Sequence, residues 1–240
     1  MNLFNVFARI ITLLLLSVTA CLAQEQLDGE SRVVSSFQEH MHSHLDQVSA
    51  IKSAVIAGNL AGVREPAHWL ATHKEPGGLL GSWKTHVDKM QNSAQKAADA
   101  KDLATAAVAV SEIGSACGDC HQASGFSVSF GVDSRPPEEN QSLMTQMQRH
   151  LWAADRMWEG LIGPSDKAWT EGTRILAEVQ LQAADIDDTD SQVPELLQRV
   201  QQLGEKGANL PATENRGALY AEFLSQCASC HALTGGGPGN

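Results

Sequence analysis

"SACGDCHQAS" (Ser115–Ser124) returns 110 positions later as "SQCASCHALT" (Ser225–Thr234). Four of the chain's five cysteines are spent on these two copies of Cys-x-x-Cys-His, in which Cys117, Cys120 and His121 answer to Cys227, Cys230 and His231. A chain of this composition would carry about 0.004 copies by chance, so composition does not explain two. Each copy closes a stretch of roughly 100 residues, the size of one small domain. The chain is therefore read as a repeat first.

The text in front of each motif is rich in Ala, Leu, Gln, Glu and Lys and poor in β-branched runs, which predicts helix. In the first half, Phe37, Met41, His44, Leu45, Val48, Ile51 and Val55 fall on one stripe of period 3.6. A second helix covers 60–73, a turn follows at Pro76-Gly77-Gly78, and a third helix covers 83–98. A fourth starts near Asp102 and carries Leu103, Ala106, Ala107, Val110 and Ile113 toward Cys117. The second half repeats this plan, its first stripe made of Leu143, Met147, His150, Leu151, Ala154, Met157 and Leu161. Its second helix covers 165–179, its third 195–207, and its fourth leads from 214 into Cys227.

The halves also align directly. "MHSHL" (41–45) matches "MQRHL" (147–151) and "HWLA" (68–71) matches "RILA" (174–177), both at an offset of 106. Four extra residues in the second loop region bring the motifs to 110. This recurrence predicts an all-α chain of two tandem four-helix bundles, each with Cys-x-x-Cys-His on its last helix. The bundles are expected over 30–125 and 140–234, with a linker at 126–139 and a disordered tail at 235–240.

Residues 1–23 have one basic residue, Arg9, an apolar run from Ile10 to Val18, and then small residues. That is a secretory signal, too short to span a bilayer as a helix. Cleavage after Ala23 satisfies the small-residue rule, whereas Val18-Thr19-Ala20-Cys21 also resembles a lipobox that would leave a lipidated Cys21. Either route exports the chain to the periplasm, and Cys21 offers the one route to a membrane. The formal charge of −11 becomes −12 without the leader. Such acidity argues against nucleic acid and anionic lipid, and suits solubility or a basic partner.

On a helix, Cys at i and i+3 project from neighbouring faces and His at i+4 sits beside them. Two thiols so placed can form thioethers to the vinyl groups of haem while the His nitrogen reaches iron. A zinc site would draw the cysteines into one cluster, yet each pair closes its own repeat with its own His. A redox dithiol rests on a βαβ context that the helical text excludes, and an i, i+3 pair on one helix is poor disulfide geometry. Two covalent haem c groups are expected.

A four-helix bundle with Cys-x-x-Cys-His on its last helix resembles the class II c-type cytochromes, the cytochrome c′ type, here present twice. The resemblance covers nearly all of 30–235 and implies thioether links at Cys117, Cys120, Cys227 and Cys230. It implies proximal iron ligands at His121 and His231. The segments between first helix and motif are shorter than the family's usual bundle, so loop details are not carried over.

Class II proteins leave the far side of the iron open or fill it from the first helix. The second half has two histidines, His231 and His150, and the latter lies on the inward stripe of the first helix. His44 occupies the same place in the first repeat, so His44 and His150 are the expected distal ligands. Met41 and Met147, one turn earlier, are the alternative, giving His/Met iron of higher potential. An open site and an ordinary polar role for both histidines also stay in play. His40 is a weaker substitute for His44. His68, His73 and His86 have no counterparts and are expected at the surface, and the five tryptophans are expected in helix packing or at a haem edge.

An exported di-haem carrier of single electrons follows, not an enzyme, serving redox partner proteins with basic surfaces. The rival readings are a gas-binding sensor for NO or CO and a haem peroxidase, both of which need an open iron. The acidic loop at 185–190 lacks the spacing of a calcium loop and is expected to be solvated.

Overall fold

A computed structural model describes residues 37–74, 81–126, 135–179, 191–211 and 215–235, with 128, 130, 181, 186 and 237. The expected leader, with Cys21, lies outside these residues. So do the turn at 76–78, most of the 185–190 loop, and parts of the 126–139 and 235–240 segments. The described residues are all helical or irregular, with no strand. Eight helices follow in order: α1 (37–56), α2 (Leu60–Thr72), α3 (Gly81–Asp99), α4 (Leu103–Ser124), α5 (Leu143–Ile162), α6 (Asp166–Glu178), α7 (Val193–Ala208) and α8 (Arg216–Thr234). None is long and apolar enough to cross a membrane.

The chain divides into two compact units, 1–45 and 46–240. In the first, 37–45 are described; they are helical and place the rings of His40 and His44 4.3 Å apart. All packing below concerns the second unit.

Helix ends are set locally. Asn59, Asp102, Ser142, Ser165 and Asn215 each accept, through the side chain, the backbone N–H three residues on. Each thereby satisfies an amide that the helix leaves without a partner. α4 and α8 end alike, on Gly125 (φ 71°) and Gly235 (φ 70°). A side chain at these left-handed positions would be strained, and each lies four residues past a motif histidine. The helix bounds repeat as the sequence does. α1 and α5, and α2 and α6, correspond at an offset of 106, while α4 and α8 end 110 apart.

α2 packs along α3 and α3 along α4, while α5, α6, α7 and α8 pack in succession. The two motif-bearing helices, α4 and α8, also pack on each other, and α5 reaches both. Ser111 on α4 donates to the carbonyl of Gly217 on α8. The fully buried side chains include Ile51, Val55, Leu70 and Ile113 from the first repeat and Met157, Trp169, Leu176, Tyr220, Phe223 and Leu224 from the second. Each such aliphatic or aromatic side chain contributes about 1.5–3 kcal/mol on burial. α7 closes on α6 so tightly that a methyl group at Gly204 would stand 2.4 Å from the backbone nitrogen of Ala177.

Two local expectations change. Leu151 is 39% exposed although it lies on the inward stripe, and Gln146, Arg149 and Arg156 are buried instead. Arginine stems bury readily when their heads are paired. Here Arg149 donates to the carbonyl of Pro137 at 2.7 Å, and Arg156 pairs with Glu159 and Glu171. α7 begins at Val193 rather than 195, because Pro194 suits the first helical turn.

Candidate prosthetic-group site

Cys117, Cys120 and His121 lie in the last turns of α4, and Cys227, Cys230 and His231 in the last turns of α8. None of these cysteines is in a disulfide; Cys230 is buried and the other three partly buried. Burial first, and then the neighbouring Cys120 or Cys230, pushes the thiols of Cys117 and Cys227 up to about 12. A reactive dithiol needs the opposite shift, toward thiolate. Both sites favour uncharged sulfur.

The histidines are held in a matching way. His121 Nδ1 lies 2.6 Å from the carbonyl oxygen of Ile162, and His231 Nδ1 lies 2.6 Å from that of Ile56. A carbonyl oxygen only accepts, so Nδ1 carries a proton, and in the neutral ring Nε2 is the nitrogen with the lone pair. That tautomer is the one a metal-bound imidazole uses when its other nitrogen is anchored.

The anchors cross between repeats. The histidine of the first repeat bonds the end of α5, and that of the second bonds the end of α1. Close backbone approach secures both seams. A methyl at Gly118 would stand 2.3 Å from the Leu161 carbonyl oxygen. One at Gly58, whose φ is 70°, would stand 3.0 Å from the Ala232 nitrogen.

Ahead of the motifs on α4 and α8, an aromatic and charged cluster joins these helices to α5. Trp158 packs against Gly114, and its ring centroid is 5.6 Å from that of Tyr220. Tyr220 donates to the Ala154 carbonyl at 3.1 Å. Burial first, and then the Asp155 carboxylate, holds its phenol well above the usual range. Lys52 pairs with Asp155 and lies 5.8 Å from the centre of the Trp158 ring.

His150 sits on α5 one turn before Ala154, partly buried. Burial, and next the proximity of His231, holds its imidazole down at about 4. It is therefore neutral at pH 7 and near the second motif. Met147, one turn earlier, is partly buried. His44 is buried and Met41 partly buried, both on the helical stretch of the 1–45 unit.

Trp169 is fully buried and donates through Nε1 to the Gly207 carbonyl at 3.0 Å, a packing role. His68 is exposed, as expected; His73 and His86 are partly buried. The carbonyls of Ile56 and Ile162 were not foreseeable, because a backbone acceptor carries no residue signature. Compared with protein-family models, curated proteins and solved structures, the chain matches none.

Proposed function

We propose that the chain is an exported di-haem cytochrome c that carries single electrons, built from two repeats of four helices. One observation carries the reading. Both Cys-x-x-Cys-His histidines donate from Nδ1 to a carbonyl at 2.6 Å and so present Nε2 beside two cysteines that form no disulfide. Apolar surface is available next to each motif as well, at Phe126 (50% exposed) and Leu233 (39%). These residues fit a covalently held haem.

In this reading Cys117, Cys120, Cys227 and Cys230 form the thioethers and His121 and His231 are the proximal ligands. His150 is the distal ligand of the second site, supported by its neutral imidazole near His231. His44 is its counterpart by the sequence repeat, and Met147 and Met41 are the alternative pair. A bound haem supplies one-electron exchange between iron(II) and iron(III). The chain fixes each imidazole through a backbone carbonyl, His121 through Ile162 and His231 through Ile56. A haem held by a histidine on each side would leave no iron position for substrate, which favours electron transfer over gas binding or peroxidase chemistry. The leader and the covalent attachment point to the periplasm, and the net charge of −11 to a basic redox partner.

Low-temperature EPR of the oxidised protein tests the ligand assignment. Two low-spin signals of bis-imidazole type are expected. A high-spin signal from either haem would instead restore the sensor or peroxidase reading.

A further inference from the structure

α5 is a single 20-residue rod that meets both motif helices. At its C-terminus, Ile162 accepts from His121 on α4, and the Leu161 carbonyl lies against Gly118, between Cys117 and Cys120. Two turns back, Ala154 accepts from Tyr220 on α8. One turn further back on the same helix stands His150, partly buried and, in the haem reading, the distal ligand of the site on α8. From His150 to Ile162 the rod measures about 18 Å.

Little along this rod can absorb a displacement. Met157 is fully buried and Trp158 nearly so, and Gly160 is closed against Trp169, where a methyl would stand 2.6 Å from the backbone nitrogen. A close-packed helix shifts as a body instead of deforming smoothly. A shift that serves one end is therefore delivered to the other.

We infer that α5 couples the two sites: what happens at His150, the distal ligand proposed for the site on α8, alters the hydrogen bond that His121 makes on α4. The inference rests on the haem reading above and goes beyond it. The Nδ1–H···O bond tunes the basicity of a ligating imidazole and hence its donation to iron. Replacing His150 would thus change how His121 would hold a haem on α4, with no residue altered at that motif. By linkage, the effect runs both ways.

The test uses the full chain matured with haem and carrying ¹⁵N-labelled histidine. EPR signals of the two haems are assigned with C117A/C120A and C227A/C230A variants, each lacking one haem. His150→Ala is expected to shift the Nδ1–H resonance of His121 and the g-values of the haem on α4, besides changing its own site. Gly118→Ala, at the opposite end of the rod, is expected to change the g-values of the haem on α8.

If each variant alters its own haem alone, the coupling is overturned. A purely electrostatic influence between irons would move a potential and leave the His121 resonance in place, which also overturns it. Should Gly118→Ala not fold, His150→Met provides the second comparison at the other end. A protein that carries no haem defeats the reading of the function instead, a separately visible outcome.

Discussion

His231 Nδ1 and the carbonyl oxygen of Ile56 are 2.6 Å apart across 175 residues of chain. His121 and Ile162 make the matching bond in the opposite sense. Each repeat thus supplies the acceptor that orients the other's histidine. The crossing makes the two motif ends one structural problem, with α4, α5, α8 and the end of α1 as its parts.

Tyr220 is the chain's single tyrosine, so phenolate absorbance in alkali reports it alone. Its phenol is held well above the ordinary 10.0 by burial, then by Asp155. A raised folded value means its contribution to stability is intact below the unfolded value and is lost as pH rises past it. The native protein is expected to show no phenolate near pH 10, with absorbance appearing only on alkaline unfolding. A smooth titration near 10 without loss of helix would contradict this.

Tyr220→Phe removes the donor to Ala154 but keeps the ring. The expected cost is about 1 kcal/mol, or roughly 2–4 °C in Tm for a chain of this size. Thermal melts followed by circular dichroism measure it.

The ion pair of Lys52 with Asp155 ties the first repeat to α5. The Lys52 side chain is 9% exposed but that of Asp155 is 36% exposed, so solvent shares the carboxylate when its partner is lost. Lys52→Met is expected to cost about 1–2 kcal/mol, between the values for surface and buried pairs. A double-mutant cycle with Asp155→Asn should show coupling. Strict additivity would mean that the pair contributes nothing across this seam.

Much of this was legible in the sequence, and what was missed has a physical reason. The start of α4 near Asp102, the repeat offset of 106 and the helices carrying both motifs follow from the sequence itself, read in short windows. The crossing is different. Ile56 and Ile162 are equivalent positions, so pairing within a repeat and pairing between repeats use the same residues in the same windows. Leu151 failed for a related reason: periodicity picks an inward face by apolarity alone. It did not anticipate buried Arg149 and Arg156, whose heads find a carbonyl and carboxylates.

Asp102 caps α4 by accepting from the Thr105 backbone, and this, then the Thr105 hydroxyl, lowers its carboxyl below the ordinary 3.8. The contribution is present above the unfolded value and is lost as pH falls through the lowered folded one. Asp102→Asn keeps an acceptor without a titrating group. Acid unfolding of the variant should therefore be less steep below pH 4 than that of the parent, with similar stability at pH 7. Identical acid profiles would remove the cap from the account.

His150→Ala should open one iron. In the reduced protein, a CO-induced spectral change equivalent to about half of the haem is expected, where the parent shows none. An unaltered spectrum would assign the sixth ligand elsewhere, with Met147 the next candidate.

The central claim is that both Cys-x-x-Cys-His strings carry covalent porphyrin. Intact mass of the mature protein, produced in a host that attaches haem c, addresses it most directly. The expected mass is that of the processed chain plus two haems, falling by one haem in the C117A/C120A variant and by the other in the C227A/C230A variant. A colourless protein with the mass of the bare polypeptide would contradict the account at its root.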